Sequence, residues 1–99
     1  MNREDFVGNI ETTFSTALAI ARQKNSDYGL ASDPFSNFKN ATLAGVSVDQ
    51  GILVRTIDKI TRLGNLLHKD AAVVDETVDD TIMDAINYLA ILKAWRSQQ

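Results

Sequence analysis

Ninety-nine residues allow one domain, and 10 basic against 13 acidic side chains leave a formal charge of -3. That balance argues against a chain held on a DNA or RNA polymer by a general positive field. Cysteine is absent, which excludes disulfide frameworks, zinc ribbons, thiol nucleophiles and iron–sulfur sites, and the single histidine, His68, cannot build a multi-histidine metal site in one subunit.

The opening stretch, Met1-Asn2-Arg3-Glu4-Asp5, is polar and leads into no long apolar run, so neither a secretory signal nor a membrane span is expected and the cytoplasm is the expected location. The spacing predicts a first helix from Arg3 to Lys24. Phe6, Val7, Ile10, Phe14, Ala17, Leu18 and Ala21 recur three and four apart and make one apolar face. Asn25 to Ser32 breaks the pattern with turn chemistry, and Gly29 is free to take a positive φ. A short second helix is predicted from Pro34, capped by Asp33, anchored by Phe35, Phe38 and Leu43, and ended by Gly45.

Ser47 opens a third helix, with Gln50 at capping-box spacing. Ile52, Leu53, Ile57, Ile60, Leu63 and Leu67 are its expected buried face, and it should stop near Lys69 and Asp70. Ala71 to Val74 reads as an interhelical connection. Asp75 can then cap a fourth helix running to Arg96, with Glu76, Asp79 and Asp80 in its first turns, where the helix dipole favours negative charge. The expected fold is all-α: a single domain over 1–99, an antiparallel bundle of three long helices and one short one.

Two faces carry more polarity than a core needs. On the third helix Arg55, Asp58, Arg62 and Asn65 line one side, with Lys59 at its edge. This is either a solvated face with Arg55–Asp58 and Asp58–Arg62 pairs, or a guanidinium stripe aimed at phosphate or carboxylate, which arginine grips with two parallel hydrogen bonds. On the fourth helix Glu76, Asp80, Asp84 and Asn87 oppose the apolar face of Val78, Ile82, Ala85, Ile86, Leu89 and Leu92. Carboxylates one turn apart can hold Mg²⁺. A contact from Asp84 to Arg55 or Arg62 would account for that mid-helix aspartate without a metal. Met83, Ala90, Ile91, Ala94 and Trp95 make the second half of this helix apolar almost all round, which points to a subunit interface and a homo-oligomer.

Between the first and third helices, Tyr28, Phe35 and Phe38 stand among Lys24, Asp27 and Asn37. Aromatic rings can stack on a base and asparagine can read a base edge. The same rings can equally seal the end of a bundle.

The succession Lys24-Asn-Ser-Asp-Tyr-Gly29, Asn37-Phe38, Gly51-Ile-Leu-Val-Arg-Thr-Ile-Asp-Lys-Ile-Thr-Arg62 and Asp75-Glu76 through Asp80-Thr-Ile-Met-Asp84-Ala-Ile-Asn-Tyr88 resembles the phage and bacterial nucleotide-modification-associated domain. That group is similar to the MazG-like all-α nucleoside triphosphate pyrophosphatases. The resemblance covers Ala17 to Leu92 and implies an oligomeric helical bundle that handles nucleotides. In MazG-like enzymes acids from two neighbouring helices hold Mg²⁺ on the triphosphate, and a water attacks phosphorus. Asp80 and Asp84 match the acidic pair of the last helix. The preceding helix departs from the pattern: a Glu-Glu-x-x-Glu type cluster is replaced by Arg55-x-x-Asp58-Lys59-x-x-Arg62, which favours phosphate and repels Mg²⁺.

The expectation is therefore a phage-encoded, non-catalytic protein that sequesters a nucleotide or a nucleotide-derived immune signal, an anti-defence role needing no cofactor. Arg55, Lys59 and Arg62 would meet phosphate. Tyr28, Phe38 and Tyr88 would offer stacking surfaces, and Asp27, Asn37 and Asn87 hydrogen-bonding groups; Lys24 and Asp58 are further ligand-binding candidates. A Mg²⁺-dependent pyrophosphatase with Asp58, Glu76, Asp80 and Asp84 as ligands is the second expectation. A helical module binding a protein through Ile91 and Trp95 is the third.

Overall fold

The computed structural model describes residues 1–68 and 72–99, the side chains of residues 72–76 excepted. The chain is all-α. Helix α1 covers Arg3–Tyr28, a 3₁₀ helix covers Lys39–Ala44, α2 covers Val48–Leu66 and α3 covers Ala72–Ser97. Among the described residues there is no strand, only an isolated bridge between Leu30 and Asp33.

The helix starts follow from local chemistry. Asn2 caps α1, its Oδ1 accepting the Asp5 amide at 2.8 Å, and Glu4 and Asp5 sit in the first turn where the dipole favours them. At α2 the capping box forms as its spacing predicts: Ser47 Oγ accepts from the Gln50 amide and Gln50 Oε1 from the Ser47 amide.

Helix α1 runs one turn past Lys24, through Asn25 and Tyr28, before Gly29 ends it. Gly29 is needed for space, not for a positive φ; its φ is -91°. A Cβ there would sit 2.6 Å from Asn25 Nδ2, which donates to the Pro34 carbonyl at 2.8 Å. The segment 34–38 forms turns instead of the expected helix. Asp33 does act as its cap, accepting the Phe35 amide at 3.1 Å, and Lys39 pairs with the same carboxylate at 2.6 Å. Gly45 closes the 3₁₀ helix with φ 77°. Helix α3 begins at Ala72, ahead of the Asp75 cap, so Ala72 to Val74 is helix rather than connection. The expected stop at Lys69 and Asp70 lies outside the described residues; α2 itself ends at Leu66.

Helix α3 is the shared element. Helix α2 packs along it, α1 leans on it, and the 3₁₀ helix rests on α2, whereas α1 and α2 do not pack on each other. Both neighbours run antiparallel to α3. Lys24 lies opposite Asp84 and Ala17 opposite Asn87, while Lys59 meets Asp84 and Val48 packs in the cluster that holds Trp95.

The core is small. Phe38, Val48 and Ile52 form its centre, with Phe35, Tyr88, Ile91, Leu92 and Trp95 packed around them. Phe35 meets Trp95 edge to face at 5.2 Å. Ile91 and Trp95 are half-buried, each packed against this cluster. Leu43, an expected anchor, is 90 % exposed. Of the expected α2 face only Ile52 is fully buried; Leu53, Ile57, Ile60 and Leu67 stay exposed because α1 is not there to cover them. The expected α1 face is likewise open, with Ala17 its only buried residue. The buried hydroxyls of Thr56 and Thr81 are satisfied by the carbonyls of Ile52 and Thr77 one turn back.

Candidate functional site

Three helices and the turn segment meet at one cleft of about 450 Å³. Helix α1 contributes Lys24, Asn25 and Tyr28 from its last turns. The turn segment and 3₁₀ helix contribute Asn37, Phe38 and Asn40, α2 contributes Arg55, and α3 contributes Asp84, Asn87 and Tyr88. Every helix of the fold therefore has a residue at this wall.

Asp84 organises the cations. Its Oδ1 accepts Lys24 Nζ at 2.6 Å and its Oδ2 accepts Lys59 Nζ at 3.0 Å. The sequence suggested Arg55 or Arg62 as the partner; the lysines take that place because Lys59 lies one turn further along α2 than Arg55 and α1 brings Lys24 from the other side. Burial pushes the Asp84 carboxyl up, and the two ammonium groups outweigh it, so Asp84 sits below the usual carboxylate range. Its hydrogen bond raises Lys24 above the ordinary lysine value.

Arg55 stays half-buried without a carboxylate partner among the described residues. Its Nη2 donates to the Asn37 carbonyl at 3.2 Å, and its guanidinium lies over the Phe38 ring, 4.8 Å from the centroid. These contacts fix the plane of the fork and leave most of its five N–H donors for other acceptors. The buried Oδ1 of Asn37 has no hydrogen-bond partner, a costly state for a buried acceptor.

Several expected roles change. Phe38 is 6 % exposed, with Arg55 over its ring and the Tyr88 ring perpendicular to it at 6.3 Å between centroids, which leaves it little surface for a base. Asn87 spends its Nδ2 on the Ala17 carbonyl at 2.9 Å and ties α1 to α3. Tyr28 is exposed and Tyr88 half-buried; these two rings keep a free surface at the cleft. Asp27, Asp58, Arg62 and Asp80 are exposed and do not line it. Asp27 accepts instead from Gln23 one turn back. The side chain of Glu76 lies outside the described residues.

Among the described residues, Asp58, Asp80 and Asp84 do not gather into a group that could hold Mg²⁺. Both oxygens of Asp84 accept from ammonium groups, and Arg55 stands with Lys24 as a second cation on the cleft wall, a charge balance that repels Mg²⁺. No three acidic or imidazole side chains converge among the described residues. Sequence reasoning missed Asn40 and the structural work of Asn25. Asn40 had a readable signal, since a spacing of three from Asn37 through tight turns places two side chains on one side.

Comparison with protein-family models, with curated proteins and with solved structures gives no match.

Proposed function

We propose that this chain binds an anionic, nucleotide-type small molecule in the Arg55 cleft and does not hydrolyse it. The observation that supports this most is the half-buried Arg55 guanidinium, held flat by Asn37 and Phe38 and unpaired with any described carboxylate, in a cleft that also presents two tyrosine rings. A planar fork of N–H donors suits phosphate oxygens. Tyrosine faces suit a base, and the asparagine amides suit its edge. The volume is within the usual range of small-molecule sites.

Binding without turnover fits the charge at the wall. Hydrolysis of a phosphoanhydride needs a metal or a base to activate water. Asp84 is the one described carboxylate at the cleft, and two lysines hold it. Sequestration of a nucleotide or a nucleotide-derived signal by a phage-encoded protein remains the reading that joins this site to the sequence resemblance. The chain would act as a homo-oligomer, since its apolar helix edges stand open.

The test is recovery. The protein is mixed with single nucleotides and linear or cyclic dinucleotides, separated from free ligand, denatured, and the released molecule weighed. Return of an intact nucleotide at fixed stoichiometry is expected. Release of a cleaved product over many turnovers would overturn the reading.

A further inference from the structure

The N-terminal half of α1 has no cover. Phe6, Val7, Ile10, Phe14 and Leu18 are 41–60 % exposed although they belong to one helical edge. Beside this edge α1 and α3 flank an apolar groove of about 650 Å³, walled by Phe14 and Leu18 on one side and by Ile86, Leu89, Ala90 and Ala94 on the other. Lys93 is the one charged residue on its wall.

Surface area shows how much cover is missing. A folded monomer of 10.9 kDa exposes about 5,600 Å² by the scaling of monomeric proteins, whereas this chain exposes 7266 Å². Its radius of gyration is 15.3 Å, against about 12.6 Å for a compact chain of 99 residues. The excess of about 1,700 Å² exceeds the roughly 800 Å² that each partner gives to a standard interface.

We propose that a second copy of this chain covers the groove, two copies exchanging their α1 arms around a two-fold axis. Each arm would lay Phe6, Val7, Ile10 and Phe14 into the groove of the other. Charge agrees with that pairing. The arm carries Glu4, Asp5 and Glu11 against a single Arg3, and the C-terminal half of α3 carries Lys93 and Arg96 at the groove and its neighbour. An isologous contact of this kind closes on itself and satisfies both grooves at once. The arm residues take no part in the Arg55 cleft, so this inference stands or falls separately from the ligand reading.

The test is the mass of the unmodified chain by sedimentation velocity, together with Phe14→Glu and Ile10→Glu. An even number of copies is expected for the parent, and at least tenfold weaker association for each variant at unchanged helix content. In parallel, equal amounts of ¹⁴N and ¹⁵N chains, allowed to exchange, are treated with a carbodiimide. Mixed-isotope peptides joining residues 4–11 to Lys93 are expected, a readout that depends on no substitution. A monomeric or odd-numbered parent, folded variants with the parent's mass, or solely same-isotope links would overturn the proposal.

Discussion

Asp84 and Lys24 stand sixty positions apart in the chain and meet through a 2.6 Å ion pair, while the other oxygen of the same carboxylate takes Lys59 at 3.0 Å. One side chain of α3 thereby ties down both neighbouring helices, which do not pack on each other. The fold and the cleft share this joint.

Replacing Asp84 by Asn keeps its shape and removes its charge. Two ammonium groups then face each other across a neutral amide. Lys24 is half exposed, so water recovers part of the loss. The expected destabilisation is about 1–2 kcal/mol. A thermal melt should fall by about 4–8 °C per kcal/mol for a domain of this size.

The joint also sets a pH dependence. The folded Asp84 carboxyl is held below its unfolded value, so its contribution is present above about pH 3.9 and is lost as pH falls through the folded value. The folded Lys24 ammonium is raised, so its contribution is complete below about pH 10.4 and is lost as pH rises through the folded value. Denaturant melts across the acid range should show the parent losing its advantage over Asp84→Asn only below about pH 3.9. Equal pH slopes for the two proteins would show that the carboxylate does not act in this way.

Helix existence, the Ser47 capping box and the Gly45 stop were legible because each rests on residues a few positions apart. Burial was not. The apolar periodicity of α1 and α2 marked true helix edges, but whether Phe14 or Ile57 is covered depends on how three helices meet, and here they meet only through α3. Of the candidate residues read from the sequence, Lys24, Tyr28, Asn37, Arg55, Asp84 and Tyr88 line one cleft. The partnership of Asp84 with two lysines was hidden, since a helical wheel places charges on a face without saying which neighbour arrives there. For the same reason a wheel could not separate Arg62 and Asp58 from Arg55: they share its stripe but lie exposed and do not line the cleft.

Two glycines in α2 should respond oppositely to alanine. A Cβ at Gly51 would come 2.5 Å from Ala41 Cβ, so the 3₁₀ helix would have to lift from α2. A cost of about 1–3 kcal/mol is expected for that overpacking. Gly64 has nothing within 4 Å of a new Cβ, and Gly64→Ala should stabilise by up to about 1 kcal/mol through helix propensity. Paired chemical denaturation of the two variants checks both signs.

The two arginines of the stripe should separate just as clearly. Arg55 is oriented by Asn37 and Phe38 inside the cleft, and Arg62 lies exposed outside it. Arg55→Ala should weaken nucleotide binding by roughly 10- to 100-fold, the scale of one lost charge-assisted hydrogen bond. Arg62→Ala should change it less than about threefold, as for a screened charge at the surface. Isothermal titration of both variants with the nucleotide that the parent retains makes the comparison.

Native mass spectrometry of the parent and of Arg55→Ala with a panel of mono- and dinucleotides reads the central claim most directly. The parent should carry an adduct of intact nucleotide mass, and Arg55→Ala should lose it while keeping the parent's subunit number. No adduct from any member of the panel, or one that survives loss of the guanidinium undiminished, would contradict the account.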